Sequence, residues 1–304
     1  MPLRIATAPG TWGVETPGDA ANPPWQRVLN EVAAAGFAGV ELGPVGYLPE
    51  APRQLGAQLS RRGLTLAGGF VMVPFHDPGR REEILHIADR TCALLAPLGV
   101  RTVALIEAIG PSRALTAGRS ADARRLGERE WASLVEAVTE VAGSVRRNYG
   151  LGAAFHPHAG TYVEFADEVE RLMAQTDPEL VGLCLDTGHT VYADGDPADW
   201  CRRWAERLRH VHLKDVRTPV LEGARAAGWG FERAVGSGVF GPLGAGGVDL
   251  AAVRDALAGI GYDGWATYEQ DRTAATAGAA LIDAAASLDH LRALGFAEDL
   301  ARCG

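Results

Sequence analysis

Two rhythms alternate along this chain. Short apolar runs occupy residues 3–8, 39–42, 64–71, 100–106, 151–155, 181–186, 208–213 and 264–268, each too brief for a stable helix. The longer stretches between them, among them 25–35, 81–95, 128–148 and 250–258, repeat their apolar positions every three or four residues. Strands alternating with amphipathic helices predict parallel strands joined by crossover helices. Gly36, Gly63, Gly99 and Gly150 stand at helix-to-strand junctions, where a helix C-cap favours glycine. Eight such units in 304 residues fit a (β/α)8 barrel, one continuous domain over residues 1–304. The alternative, a doubly wound open sheet, would carry a G-x-G-x-x-G turn after its first strand. Here that turn reads Ala8-Pro9-Gly10-Thr11-Trp12-Gly13.

The long segment 217–247, after the seventh strand, shows neither rhythm and reads as an irregular loop: a lid or a binding loop. It holds Gly236-Ser237-Gly238, but no G-K-[ST] follows, so the glycines read as loop flexibility and not as a phosphate cradle.

Composition narrows the classes. With 47% hydrophobic residues the chain can bury a large core. Its formal charge of −9, from 38 acidic and 29 basic residues spread along the length, offers no basic face to a nucleic acid. Cys92, Cys184, Cys201 and Cys303 form no C-x-x-C pair, so neither a zinc ribbon nor a disulfide framework is expected. No run approaches the ~18 apolar residues of a membrane span, and the N-terminus opens on a strand pattern. The expectation is a cytoplasmic enzyme with neither nucleic-acid nor membrane partners, able to form homo-oligomers through its exposed helices.

In a barrel of this kind catalytic groups stand at the C-terminal ends of the strands. Polar residues end six of the apolar runs: Glu41, Glu107, His156 and His158, Asp186, His212 with Lys214, and Glu269. Imidazoles and carboxylates converging on one rim are the ligand mix for a divalent transition metal with positions left open for substrate. Alternation refines the choice, because strand residues two apart share a face. His210, His212 and Lys214 face away from Val211 and Leu213, so His212 reaches a central metal and Lys214 lies one step further up, at the substrate. His210 falls below, as a satisfied interior residue. His156 is assigned to the metal and His158 to substrate. Trp12 and Tyr47 are candidate apolar walls for a sugar ring, and His76 reads as an ordinary rim residue.

These residues resemble the xylose isomerase-like sugar isomerases and epimerases, and within them the inosose dehydratases. The likeness covers nearly the whole chain. It rests on Glu41-Leu42-Gly43-Pro44, His156-Pro157-His158, Asp186-Thr187-Gly188-His189, His210-Val211-His212-Leu213-Lys214-Asp215, Pro242-Leu243-Gly244-Ala245-Gly246-Gly247 and Glu269-Gln270-Asp271. It implies that Asp186, His212 and Glu269 are metal ligands and that His189 contacts a substrate hydroxyl. Epimerases of the family place a glutamate at the end of strand five, where this chain has His156, and an imidazole held by a metal cannot serve as the second proton-transferring carboxylate.

The expected reaction is therefore metal-dependent removal of water from a keto-inositol or related cyclic keto-polyol. Glu269 and Glu107 are candidate bases; His189, His158 and Lys214 are candidate acids or enolate stabilisers; Trp12, Glu41, His158, His189 and Lys214 contact substrate. The ion would be manganese or cobalt, with magnesium, zinc or iron as alternatives. A ketose isomerase or 3-epimerase, or a lyase on a 3-keto sugar or glycoside, are the competing activities. A Schiff base at Lys214 is the lesser reading, since a lone lysine stands beside metal-ligand residues.

Overall fold

The computed structural model describes residues 2–297. Nine parallel strands form one sheet: β1 (Arg4–Thr7), β2 (Gly39–Val40), β3 (Thr65–Leu66), β4 (Phe70–Val73), β5 (Thr102–Glu107), β6 (Gly152–Phe155), β7 (Val181–Asp186), β8 (Leu208–Leu213) and, last in the chain, β11 (Trp265–Tyr268). Their spatial order is β3-β2-β1-β11-β8-β7-β6-β5-β4. The two ends of that order are consecutive in sequence. β3 pairs with β2 and β4 with β5. Backbone bonds from Leu42 N to Gly68 O (2.9 Å) and from Ala104 N to Gly69 O (2.9 Å) bridge the step between them. β3 and β4 thus act as the two halves of one strand, bent at Ala67-Gly68-Gly69, and the eight-stranded barrel closes.

Side chains alternate across each strand. Phe70, Ala104, Ala154 and Cys184 pack as a small cluster inside the barrel, while the larger core lies between strands and helices. The junction glycines do what their positions predict: Gly36, Gly63, Gly99 and Gly150 have φ of 90°, 67°, 78° and 68°, the left-handed region that ends a helix without a Cβ penalty.

Segment 217–247 is folded rather than irregular. It contains helices Thr218–Ala226 and Phe231–Gly236. A two-stranded antiparallel ribbon pairs β9 (Asp215–Val216) with β10 (Phe240–Gly241). The segment buries Phe231 and Phe240, apolar anchors hidden in a polar-looking sequence. The glycines that follow are structural: Asp215 accepts hydrogen bonds from the backbone N–H of Val216, Gly244, Gly246 and Val248. A Cβ at Gly246 would lie 2.2 Å from Asp215 Oδ1, so only glycine lets the chain wrap the carboxylate.

Cys92, Cys184 and Cys201 are buried free thiols; Cys303 lies outside the described residues. No helix among the described residues is long and apolar enough to cross a membrane.

Candidate metal centre and active site

Four side chains from adjacent strand ends point into the barrel mouth. His156 follows β6, Asp186 ends β7, His212 lies near the end of β8 and Glu269 follows β11. Their ligand atoms lie within 4.8 Å of one another. His156 Nε2 is 3.2 Å from His212 Nδ1, which is 3.1 Å from Glu269 Oε2. Asp186 Oδ2 lies 3.7 Å from His156 Nε2 and 3.9 Å from His212 Nδ1.

The tautomers follow from what each ring does behind the site. His156 Nδ1 donates to Pro157 O (2.9 Å), leaving the Nε2 lone pair facing inward. His212 Nε2 donates to Glu41 Oε1 (3.1 Å), leaving Nδ1 inward. His212 Nδ1 faces His156 Nε2 at 3.2 Å and Glu269 Oε2 at 3.1 Å. Against the cost of burial, Cys184, Glu269 and Glu41 raise the ring well above its ordinary value, so the space between the two rings favours a cation: a proton on Nδ1 or a metal ion in its place. Asp186 Oδ1 caps the short helix Thr187–Tyr192 by accepting from His189 N (2.8 Å), while the buried Oδ2 makes no hydrogen bond and lies 3.2 Å from the Lys214 ammonium. Against the cost of burial, Lys214 and His189 hold the Asp186 carboxyl well below the ordinary carboxylate range. An ionised oxygen with no hydrogen bond of its own, beside two inward imidazole nitrogens and the Glu269 carboxylate, is a donor set that suits a divalent ion. Ligands ~2.1 Å from such an ion stand ~3.0–3.4 Å apart, close to the spacing here.

Beneath this set lies a polar layer. Glu41 Oε1 accepts from His210 Nε2 (2.7 Å), His212 Nε2 (3.1 Å) and Thr267 Oγ1 (2.7 Å). Its role is to orient His212, although it also borders the cavity. His210 is the satisfied interior residue that alternation predicts.

Above the set, Lys214 is buried among carboxylates: its Nζ is 2.7 Å from Asp271, 3.2 Å from Asp186 and 3.3 Å from Glu269. These anions outweigh its desolvation and raise the ammonium well above the usual lysine value. A permanently charged amine is a hydrogen-bond donor and not a Schiff-base nucleophile. Glu269, despite burial, is held down to about 2 by His212 and Lys214. Burial, with His156 and Lys214 as neighbours, lowers His158 to about 3. Burial and the adjacent His158 ring, 3.8 Å away between centroids, likewise hold His189 well below its ordinary value.

The D-T-G-H string makes local sense here. Asp186 supplies a ligand atom, Thr187 Oγ1 clasps Lys214 through its backbone O (2.7 Å) and N (2.9 Å), and Gly188 leaves room for the lysine stem. His189 meets Lys214 Nζ at 3.0 Å. It sits behind His158 and Lys214 and does not border the cavity.

Three predicted site residues lie elsewhere. Glu107 points out of the barrel, because Ala104 and hence Ile106 take the inward positions of β5. Its Oε1 pairs with His76 Nδ1 at 2.6 Å. Trp12 is buried in the core, its indole N–H donating to Glu31 (2.7 Å), and Tyr47 donates to Pro23 O (2.8 Å). Neither walls the cavity. Two residues that do border it were overlooked in the sequence. Asp271 is two positions beyond Glu269 and would have been found by the same alternation; Glu15 lies on the loop after β1, where no local pattern marks it.

The inner chamber over the ligand set has a volume of about 70 Å³. A larger cavity of about 660 Å³ lies at the opposite, N-terminal end of the strands, away from the ligand set.

Residues 29–294 match the family model described as xylose isomerase-like TIM barrel. The chain belongs to this family. The xylose isomerase-like barrel is 35% identical to an inosose dehydratase of Geobacillus kaustophilus over 280 residues, 91% of this chain and 90% of that one. It is 37% identical to the rhizopine catabolism protein MocC of Rhizobium meliloti over 274 residues, 90% and 82% of the two chains. Among solved structures it superimposes on the IOLI protein with a binding zinc atom, with a TM-score of 0.71 and 16% identity, covering 96% of this chain and 98% of that one.

Proposed function

We propose that this barrel is a divalent-metal-dependent dehydratase acting on a keto-inositol or closely related cyclic keto-polyol. The observation that carries the reading is the donor set: the ligand atoms of His156, Asp186, His212 and Glu269 lie within 4.8 Å of one another, with Asp186 Oδ2 making no hydrogen bond. The inosose dehydratases at 30–35% identity support the substrate class. His156 favours elimination over epimerisation, because its inward lone pair is committed to the ion and leaves Glu269 as the one ligand carboxylate able to move a proton on the cavity side.

A bound ion would polarise the substrate carbonyl and acidify the adjacent C–H. Lys214 then donates to the oxygen that gains charge, and its fixed place among three carboxylates means that little rearrangement is needed when that charge forms. Glu269 accepts the α-proton. His189, behind Lys214, holds the ammonium in place, and His158 lines the chamber as a neutral hydrogen-bonding wall. Manganese or cobalt is the proposed ion, with zinc, iron or magnesium as alternatives that metal analysis of the purified protein distinguishes.

The test is to incubate metal-reconstituted protein with 2-keto-myo-inositol in deuterated water, following dione absorbance and deuterium incorporation beside an Asp186→Ala control. Dione formation that the control lacks supports the dehydratase. Deuterium exchange without water loss assigns an isomerase or epimerase instead, and no reaction transfers the search to other keto-sugars.

A further inference from the structure

The inner chamber, at about 70 Å³, has room for a few waters and not for a whole polyol ring. It opens into a vestibule of about 520 Å³ whose far walls carry Ile109, Phe231 and Val235. The two spaces share four lining residues: Glu15, Met72, His158 and Asp271. A cyclic ketone with its carbonyl at the ligand set must therefore pass its ring through this neck. With the carbonyl and α-carbon in the inner chamber, the remainder of the ring, the β-hydroxyl included, would extend toward the four neck residues.

Elimination needs a proton for that hydroxyl, and the cavity offers few sources. Lys214 is an ammonium engaged by three carboxylates and holds its proton too tightly. His158 spends its Nδ1 proton on Ala159 O (2.8 Å), and His189 stands outside the cavity. Asp271 is bound to Lys214 through Oδ1 at 2.7 Å, and its Oδ2 is buried 3.6 Å from His189 Nε2. Met72 is inert. Glu15 differs from all of these: among the described residues no hydrogen bond or ion pair ties its carboxyl down, and Oε1 leans over the open face of Gly10.

We propose that Glu15 is the general acid that protonates the departing β-hydroxyl. This assignment rests on the dehydratase reading above. Glu269 takes the α-proton, and the C–H electron pair becomes the new carbon–carbon double bond. The β-carbon–oxygen bond breaks with its electron pair on oxygen, and the Glu15 proton completes a water molecule. Glu15 is left as a carboxylate and recovers its proton from solvent through the vestibule. Although the residue as a whole is exposed, enclosure of its carboxyl by the rim and the nearby Asp271 and Glu269 push it up to about 7 against the pull of Lys214. The other titratable or charged groups around the neck and vestibule are His158, Asp19, Glu232 and Arg272.

The experiment compares wild type, Glu15→Gln and Glu15→Asp on 2-keto-myo-inositol in deuterated water, with metal content checked for each. Glu15→Gln is expected to keep α-deuterium exchange while dione formation falls about 10²- to 10⁴-fold. Glu15→Asp is expected to recover part of the loss. An analogue with fluorine in place of the β-hydroxyl, whose leaving group needs no proton, should react at similar rates with wild type and Glu15→Gln. The acid limb of the kcat profile should survive in Glu15→Gln while the basic limb, near pH 7, disappears. If Glu15→Gln makes dione at the wild-type rate, or loses exchange and elimination together, the assignment is overturned and the dehydratase reading stands. If wild type itself neither exchanges nor eliminates, that reading falls and the assignment with it.

Discussion

Gly188 lies against the stem of Lys214: a Cβ at position 188 would stand 2.6 Å from Lys214 Cγ and 2.8 Å from its Cβ. Lys214 cannot yield freely, because its Nζ is held by Asp186, Glu269 and Asp271. Gly188→Ala is therefore expected to displace the ammonium and to cost about 1–3 kcal/mol, read by urea unfolding, together with most of the dehydration rate. Helix propensity alone predicts the opposite sign, a gain of roughly 1 kcal/mol from glycine to alanine. A stabilised variant would mean that packing at Lys214 is looser than the structure shows.

Glu41 fixes which nitrogen of His212 faces the ligand set, since Oε1 takes the proton-bearing Nε2. Glu41→Gln keeps the shape but can offer an amide donor where His210, His212 and Thr267 all need an acceptor. Metal affinity should fall about 10- to 100-fold, measured by titration against a competing chelator. Unchanged affinity would reduce Glu41 to a structural role.

Arg113 is fully buried and is held by Glu164 (3.2 Å) and Glu168 (2.7 Å), while Arg125 reaches Glu168 from outside. These contacts fasten segment 111–125 to the start of helix Ala166–Gln175. Arg113→Met leaves both carboxylates short of a cation in the interior and is expected to destabilise by about 3–5 kcal/mol. Chemical denaturation at neutral pH measures it, and a triple change of Arg113, Glu164 and Glu168 to apolar residues should recover part of the loss.

The His76–Glu107 pair predicts a pH effect on stability. The Glu107 hydrogen bond raises His76 above its ordinary value, and burial raises Glu107. Both groups therefore bind protons more tightly folded than unfolded, so stability must decline as pH rises. For His76 the contribution is complete below about pH 6.5 and is lost as pH climbs through its raised folded value. The stability difference between wild type and His76→Gln should shrink from pH 6 to pH 9, followed by urea midpoints. A difference independent of pH would show that the pair is not ionised.

Reading polar residues at strand ends picked out the four residues that the structure gathers into the candidate donor set, because period-two alternation and the order of parallel strands carry a side chain to the same rim wherever it lies in the chain. The same rule, applied to β5, would have excluded Glu107, since Glu107 is out of phase with inward-facing Ala104. Applied beyond Glu269 it would have included Asp271. Segment 217–247 misled for a different reason: its short helices and ribbon are held by Phe231, Phe240 and the backbone donors that Asp215 collects, contacts with no periodic trace.

By itself the sequence determined the barrel, its glycine-capped junctions, and which strand ends carry the candidate ligand residues, all consequences of local periodicity and backbone sterics. Only the tertiary structure decided that Glu41 acts through His212, that Trp12 turns into the core, that Lys214 is locked among carboxylates, and that Glu15, on a loop after β1, arrives at the neck of the cavity. Those relationships join residues up to 256 positions apart, from Glu15 to Asp271. They depend on how the barrel closes, which no local pattern encodes.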